Sequence, residues 1–278
     1  MKLITQWRWS ISRALLLRNC PAAFGFRLKS NHNPRSSSNL TPLRSIPGIC
    51  IHEAISSEID YWAYGKSISI DRATKTAIDR LQSIYDCRTS YVVEAYNGYP
   101  IEEADFARFR RTVKSRLEHF FNFIWPIFRH YQHFTHELFS TFKLADVEIG
   151  VRVDLACWMP DRKLAIIDWK TGTGADISIR QQLTVYSTWA MQYVEGRIDK
   201  VTPMLVNLRD GSIKEFHPVQ EDLEILSDIV KSDVLRVNEY DEEGRFPALP
   251  RTDKCLECIY LRDCIDGRRQ IGYLDVQK

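Results

Sequence analysis

The sequence of 278 residues lacks any long apolar run. Its densest apolar stretch, 120–128, is short and includes Asn122 and Pro126, whereas a membrane-spanning helix needs about 18 or more apolar residues. Glycine and proline are scarce, at 12 and 11 residues, which excludes a collagen-like chain. With 44% hydrophobic and 27% charged residues, the composition predicts a soluble globular protein of one large domain or two small ones, with no membrane contact.

Acidic residues are absent from the first 52 positions, since Glu53 is the first of them. The eight basic residues of this arm are Lys2, Arg8, Arg13, Arg18, Arg27, Lys29, Arg35 and Arg44. A basic arm on a mildly acidic body favours contact with a phosphate backbone. A mitochondrial transit peptide would have a similar composition, but a cysteine motif inside the arm, described below, argues against cleavage.

The chain shows no apolar secretory leader, and its cysteine count, seven, is odd. We therefore expect a reducing, cytoplasmic location, where closely spaced cysteines more often bind metal than form disulfides. Three of them form a C-x2-C-x5-C pattern at Cys255, Cys258 and Cys264. We interpret Cys50, Cys87 and Cys157 as ordinary buried thiols. The seventh cysteine, Cys20, is considered below.

Hydrophobic periodicity predicts a largely helical N-terminal half. Helices are expected over 10–20, where Pro21 would end the helix, over 47–64 and 70–85, and from about 103 onwards. The last has an apolar stripe typical of core: Phe106, Phe109, Val113, Leu117, Phe120, Phe121 and Ile124. Its opposite face carries Arg108, Arg110, Arg111 and Lys114, which form either a solvated face or a nucleic-acid contact. Residues 29–47 and 88–102 are expected to be irregular.

The second half alternates between patterns of period two and helical patterns. Strands are predicted over 136–145, 149–155, 164–170 and 201–208, with a short strand ending at 216 and helices over 175–196 and 218–240. A turn at 158–163 would make 149–155 and 164–170 adjacent antiparallel strands. The fold class is therefore α/β, with a mixed central sheet flanked by helices and a loop-rich tail from 241.

Two carboxylates and a lysine are expected to meet on this sheet. Asp168 and Lys170 are two residues apart on one strand and so share a face, and the predicted hairpin brings Asp154 close to Asp168. Paired carboxylates suit a hard divalent cation such as Mg²⁺, and a lysine beside them can stabilise charge on a phosphate. By itself, an Asp-x-Lys tripeptide is more simply an edge-strand salt bridge.

Two further pairs lie on predicted helices. Gln182 and Tyr186 are four residues apart and share a face, although such a pair is ordinary on a half-buried helix. Gly48 and His52 form G-x3-H. A helix histidine is usually just a satisfied polar residue, but here two acidic partners are predicted for it.

In chain order these elements resemble the RecB-like branch of the PD-(D/E)XK nucleases. The series is S-x9-C-P at Ser10, Cys20 and Pro21; G-x3-H at Gly48 and His52; G-x3-D at Gly150 and Asp154; D-W-K-T-G at 168–172; Q-x3-Y at Gln182 and Tyr186; and the terminal cysteines. More narrowly, the chain resembles the iron–sulfur members of that branch, namely the AddB nuclease domain and CRISPR-associated exonucleases. The resemblance spans 10–264.

The resemblance implies a restriction-endonuclease-like core and a role for each matched residue. His52, Asp154, Asp168 and the carbonyl of Trp169 would be ligands of Mg²⁺ or Mn²⁺, and Lys170 would be the catalytic lysine. Gln182 and Tyr186 would support that lysine and the DNA backbone. Cys20, Cys255, Cys258 and Cys264 would hold a [4Fe–4S] cluster, with the tail 241–278 clipped to Cys20.

The cysteine spacing alone does not decide between iron–sulfur and zinc. Four thiolates can bind either, but a zinc site usually pairs two C-x2-C elements, and this chain has only one. Either metal would close a very long loop between Cys20 and the tail.

The sequence departs from the family in two ways. Residues 65–135 make a longer helical insertion within the single nuclease domain expected over 1–278, and its role is open. No G-x4-G-K-[ST] motif occurs, so a helicase motor would be a separate protein. We expect an exonuclease acting on single-stranded DNA or DNA ends in repair, recombination or defence, with CRISPR-adaptation proteins as candidate partners. The alternatives are a silent nucleic-acid-binding scaffold on the same fold and a zinc-clipped protein-interaction subunit.

Overall fold

The computed structural model describes residues 7–30, 40–172 and 176–272. Residues 31–39 of the expected irregular segment, Ala175 at the start of a predicted helix, and the last part of the tail, 273–278, lie outside the described residues. In the described part of the chain, no helix has the length and apolar character that crossing a membrane requires.

The N-terminal half is helical, as the periodicity predicts. Its helices are α1 (Ile11–Asn19), α2 (Pro21–Ser30), α3 (Ile46–Ala63), α4 (Ile70–Asp86), α5 (Arg88–Tyr91), α6 (Val93–Tyr96) and α7 (Glu103–His119). A π-helical turn, Phe120–Ile124, joins α7 to α8 (Trp125–Phe128). Within this turn the amide of Trp125 donates to the carbonyl of Phe120. Pro126 follows and has no N–H to donate, which favours this local departure from the α-helix.

The helix α2 is not predicted by the hydrophobic periodicity. Pro21 does end α1, but it also begins the next helix, because a proline at the first helical position loses no intrahelical hydrogen bond. The segment 88–102 is also more ordered than expected, since α5 and α6 lie within it.

Five strands form one sheet in the order β1-β2-β3-β4-β5. They are β1 (Gln132–Leu144), β2 (Val147–Trp158), β3 (Leu164–Lys170), β4 (Val201–Asn207) and β5 (Ile213–Glu215). β2 and β3 pair antiparallel and β3 and β4 pair parallel, so the predicted mixed sheet is confirmed. β1 begins four residues before its predicted start, and β2 extends to Trp158, which places Asp154 inside the strand.

Helices cover both faces of the sheet. The first apolar core joins α3, α4, α7 and the π-helical turn to one face, where Ile167 and Trp169 of β3 point. The second core joins α1, α9 (Asp176–Met191) and α10 (Gln220–Glu242) to the other face, which carries Leu164 and Ile166. The tail adds α11 (Thr252–Leu256) and α12 (Ile265–Gln270).

Part of the basic arm is built into the fold. The segment before α1 pairs with β2, since the amide of Trp9 donates to Glu148 O (2.9 Å) and the amide of Gly150 to Trp9 O (2.7 Å). Arg8 forms an ion pair with Glu148, and Arg18 with Asp233. These two arginines are therefore already partnered by carboxylates.

Asp233 ties three elements together through one buried carboxylate. It accepts hydrogen bonds from Trp9 Nε1 (3.0 Å), Arg18 Nε (3.2 Å) and Arg18 Nη2 (2.6 Å). The remaining Arg18 nitrogen, Nη1, donates to Gln181 Oε1 on α9 (3.1 Å). Because Asp233 is only 3% exposed, removing it leaves donors without an acceptor.

We expect Asp233→Ala to lower the free energy of unfolding by about 2–3 kcal/mol, because it strands a partly buried guanidinium and a buried indole N–H. Urea unfolding followed by circular dichroism measures the change. The matched control on the same helix is Asp228→Ala, whose carboxylate is 79% exposed and pairs with Lys231; it should change stability by less than about 0.5 kcal/mol. Equal effects in the two variants would contradict the assignment.

Candidate active site

The antiparallel register of β2 and β3 brings the two predicted aspartates together. Leu155 lies opposite Ile167, so the next positions outward are Asp154 and Asp168. The amide of Trp169 donates to Asp154 Oδ2 at 2.9 Å. Both aspartates line one depression at the end of β3, together with Lys170 and His52.

Asp168 is the centre of a polar network supplied by α9. Its Oδ1 accepts from Tyr186 Oη (2.9 Å) and from Gln182 Nε2 (3.0 Å), and Gln182 Oε1 accepts from Lys170 Nζ (3.0 Å). Lys170 Nζ also lies 2.7 Å from Asp168 Oδ2. The four-residue spacing of Gln182 and Tyr186 thus places both side chains on the one carboxylate, as the helix periodicity predicts.

The environment of Asp168 disfavours its charge. The residue is only 2% exposed, and burial followed by the charge of Asp154 raises its pKa, against the opposing effect of Lys170 and Tyr186. Burial likewise raises the pKa of Tyr186 well above its usual value, so this phenol remains a hydrogen-bond donor. A carboxylate in such a position favours a nearby cation.

His52 lies on α3 and faces a second group of acids. Its Nδ1 is 3.6 Å from Asp154 Oδ1 and 3.8 Å from Glu137 Oε1, and ligand atoms of these three residues all lie within 4.8 Å of one another. Burial lowers the pKa of His52, but hydrogen bonds and charge from Asp154 and Glu137 outweigh it and raise the pKa to about 10. In the metal-free protein the imidazole is therefore protonated at neutral pH.

Glu137 is the site residue that the sequence analysis missed. It lies within β1 with a positive φ of 43°, close to a register shift between His133 and Thr135, and such irregularities re-aim side chains. The sequence carries a signal for it, because Glu137 is the one acid of the segment 136–145, and an acid inside a strand also singles out Asp168. The pattern of 136–145 by itself predicts only a strand.

The two acidic groups open on one groove. A second depression adjoins the first and shares His52, Arg152, Asp154 and Thr171 with it. It extends along α3 past Gly48, where an added Cβ would lie 3.1 Å from Thr171 Oγ1. A glycine at position 48 therefore allows α3 to approach the end of β3, which is what places His52 at the carboxylates.

The four cysteines singled out in the sequence line a single small cavity between α2 and the tail. Cys20 follows α1, and Cys255, Cys258 and Cys264 surround α11 and the start of α12. Burial raises the pKa of Cys258 to about 11, and the charges of Cys20, Cys255 and Cys264 act in the same direction. Among the described residues, no three of these sulfurs fall within 4.8 Å of one another.

The remaining cysteines differ from one another. Cys50 and Cys157 are buried, and burial raises the pKa of each thiol to about 12. The prediction of a buried thiol is wrong for Cys87, which is exposed because it caps the end of α4 at the surface.

With the geometry in place, comparison with known proteins gives the family. A family model described as the PD-(D/E)XK nuclease superfamily matches residues 8–264. The chain belongs to the PD-(D/E)XK nuclease superfamily. No curated protein matches its sequence.

Two solved structures are similar to it. One is a “putative exonuclease” from Eubacterium rectale, with 16% identity, a TM-score of 0.37, and coverage of 77% of this chain and 84% of that one. The other is a protein named SSO0001, with 11% identity, a TM-score of 0.33, and coverage of 88% and 95%.

We expect Glu137→Gln to lower the pKa of His52 in the metal-free protein. The substitution removes one of the two carboxylates that hold a proton on the imidazole, so the proton is lost at lower pH. An NMR titration of the histidine side chains in EDTA measures the shift. Glu148→Gln, which neutralises a β2 acid paired with Arg8, is the control and should leave the His52 titration in place. An unshifted His52 in Glu137→Gln would contradict the described group.

Proposed function

We propose that the chain is a metal-dependent DNA nuclease of the RecB-like branch, an exonuclease acting on single-stranded DNA or DNA ends. The observation that carries the proposal is the convergence of Asp168, Asp154, Lys170 and His52 on one groove. Two acids, an imidazole and a lysine at one sheet edge are the groups that phosphodiester hydrolysis with a divalent cation requires.

The donor set fits a hard divalent cation. Asp168 Oδ2 is buried, and its partner among the described residues is the Lys170 ammonium, 2.7 Å away. His52, Asp154, Asp168 and the carbonyl of Trp169 would hold Mg²⁺ or Mn²⁺, and the position of Glu137 adds it to that set. Because His52 must lose its proton to bind, cation binding would release a proton.

Each polar residue then has a distinct task. A bound cation would activate water and neutralise charge on the scissile phosphate. Gln182 accepts from Lys170 and donates to Asp168, so it fixes the ammonium beside the carboxylate. The Lys170 ammonium lines the groove. There it would stabilise the negative charge that develops on the phosphate oxygens during hydrolysis.

We expect end-labelled single-stranded DNA to be cut only with Mg²⁺ or Mn²⁺ present. Asp168→Ala removes a ligand and Lys170→Ala removes the stabilising charge, so each should lower the cleavage rate by roughly 10²-fold or more. Gel analysis of the labelled products measures the rates, and Lys163→Ala in the exposed turn after β2 is the control with unchanged activity. Wild-type rates in both site variants would refute the roles, and DNA binding without any cleavage by the wild type would favour the silent scaffold.

We further propose that Cys20, Cys255, Cys258 and Cys264 hold a [4Fe–4S] cluster. All four cysteines line one cavity of the described structure, and four thiolates can hold such a cluster. A zinc site more often pairs two C-x2-C elements, whereas this chain has one such pair and two isolated thiols.

Anaerobically purified protein should be brown and contain about four iron and four sulfide per chain. Cys20→Ser should lose the colour and lower the melting temperature by roughly 5 °C or more, because metal binding contributes to the free energy of folding. Cys87→Ser is the control, since its exposed thiol lies outside the cavity. Stoichiometric zinc in protein expressed with ample iron would overturn the cluster and leave the nuclease proposal standing.

A separate helicase, which would supply single strands from a duplex, is one partner that we propose for this activity. CRISPR-adaptation proteins are the other candidate partners, on the strength of the family resemblance.

A further inference from the structure

A basic and aromatic surface lies at the end of the sheet that carries the candidate active site, on the helical layer that packs against Trp169. It is formed by Arg116 and His119 at the end of α7, Phe123 in the π-helical turn, and Arg209 in the turn after β4; we call it the Phe123 patch. The amide of Leu208 donates to Lys170 O at 2.8 Å. The turn that carries Arg209 therefore begins beside the end of β3. Its backbone lies about one strand spacing, roughly 5 Å, from the backbone of Lys170.

Phe123 is a large aromatic side chain held in solvent. It is 64% exposed, while Phe120 and Ile124 of the same π-helical turn are buried. Its ring packs edge-on against His119, with centroids 5.0 Å apart, and His119 Nδ1 contacts Arg209 O at 3.1 Å. A largely exposed aromatic ring thus lies beside a cationic turn.

Arg116 and Arg209 differ from the other arginines of this surface in their partners. Neither forms an ion pair with any residue that the structure describes, and Arg116 Nε is buried without a hydrogen-bond acceptor. Burial, followed by the charge of Arg209, lowers the pKa of Arg116 against the opposing effect of Asp210. By contrast, Arg108 and Arg110 on the same helix are paired with Asp105 and Glu103.

Asp210 is the acid closest in sequence to this pair, and its own partners lie in its turn. Its Oδ1 accepts from the amide of Ser212 (2.9 Å) and its Oδ2 from Asn207 Nδ2 (3.3 Å). It is therefore positioned as a turn residue. Asp210 offsets the charge of Arg116 only in part, so an added anion would stabilise the two arginines further.

The patch is also fixed to the active-site strand. Phe120 and Phe128, which flank Phe123 in sequence, pack on the ring of Trp169 with centroids 5.3 Å and 5.7 Å away. Trp169 stands between Asp168 and Lys170. These contacts fix the position of the insertion that carries Phe123 relative to the strand that bears Asp168 and Lys170.

We propose that the Phe123 patch binds the single-stranded part of the DNA substrate as it leads to the groove, with a base stacked on Phe123 and phosphates bound by Arg116 and Arg209. The proposal rests on the nuclease function proposed above. Stacking on an aromatic ring and cations that follow the backbone are the two elements of sequence-independent single-strand binding. Apart from Ile127, which is 44% exposed, the patch offers little apolar area, which favours a strand over a protein partner.

Binding is measured by fluorescence anisotropy of a labelled 15-nucleotide oligo(dT), with EDTA present so that nothing is cut. Phe123→Ala should raise Kd roughly 5- to 100-fold, the range given by stacking energies, and Phe123→Trp should restore tight binding. The slope of log Kd against log salt should stay unchanged in Phe123→Ala, because no phosphate contact is lost. Arg209→Gln should instead reduce that slope by about 0.7, the value for one single-strand phosphate.

The controls are Tyr64→Ala, an 81% exposed aromatic, and Arg236→Gln on α10, across the sheet; both should bind as the wild type does. If Phe123→Ala binds oligo(dT) normally while the wild type binds and cuts DNA, the patch proposal is overturned and the nuclease survives. A change of oligomeric state in Phe123→Ala, seen by sedimentation without a change in Kd, would overturn it in favour of a protein interface. Failure of the wild type to bind any oligonucleotide would contradict the nuclease function itself.

Discussion

The carboxylate of Asp168 is the constraint on which the rest of the site depends. It lies at the end of β3, a strand buried along almost its whole length, where an unpaired charge would be costly. Tyr186 and Gln182 donate to one oxygen and Lys170 pairs with the other. Because these partners come from α9 and from β3 itself, the position of α9 against the sheet is fixed by the polar site as well as by apolar packing.

The alternation of β3 explains how one strand can serve two cores. Asp168 and Lys170 face α9 and the second core, while Trp169 between them faces α3, α7 and the π-helical turn. The helical insertion therefore reaches the site from behind, through Trp169, and α3 reaches it from the edge, through His52. Substitutions in either helical layer are therefore expected to change the positions of Asp168, Trp169 and Lys170.

Local patterns predicted those parts of the molecule that depend on periodicity. The hairpin of β2 and β3, the shared face of Gln182 and Tyr186, and the core stripe of α7 all follow from repeats of 2 or 3.6 residues. The patterns failed where a single residue departs from its element. Pro21 is predicted to end a helix but also begins α2. The role of Glu137 is not predicted, because its orientation depends on a positive φ within β1. The exposure of Cys87 likewise depends on where α4 happens to end, which composition does not encode.

Long-range polar contacts join the cysteine cavity to the active site. α1 ends at Cys20, and Arg18 in its last turn donates both to Asp233 on α10 and to Gln181 on α9. Gln181 directly precedes Gln182, the residue that connects Lys170 with Asp168. A displacement of α1 that followed loss of the cysteine-bound group would therefore be transmitted to the first turns of α9 before it reached the sheet. This connection gives a physical reason why a metal held by Cys20, at the end of α1 and outside the groove, would affect hydrolysis without touching the phosphate.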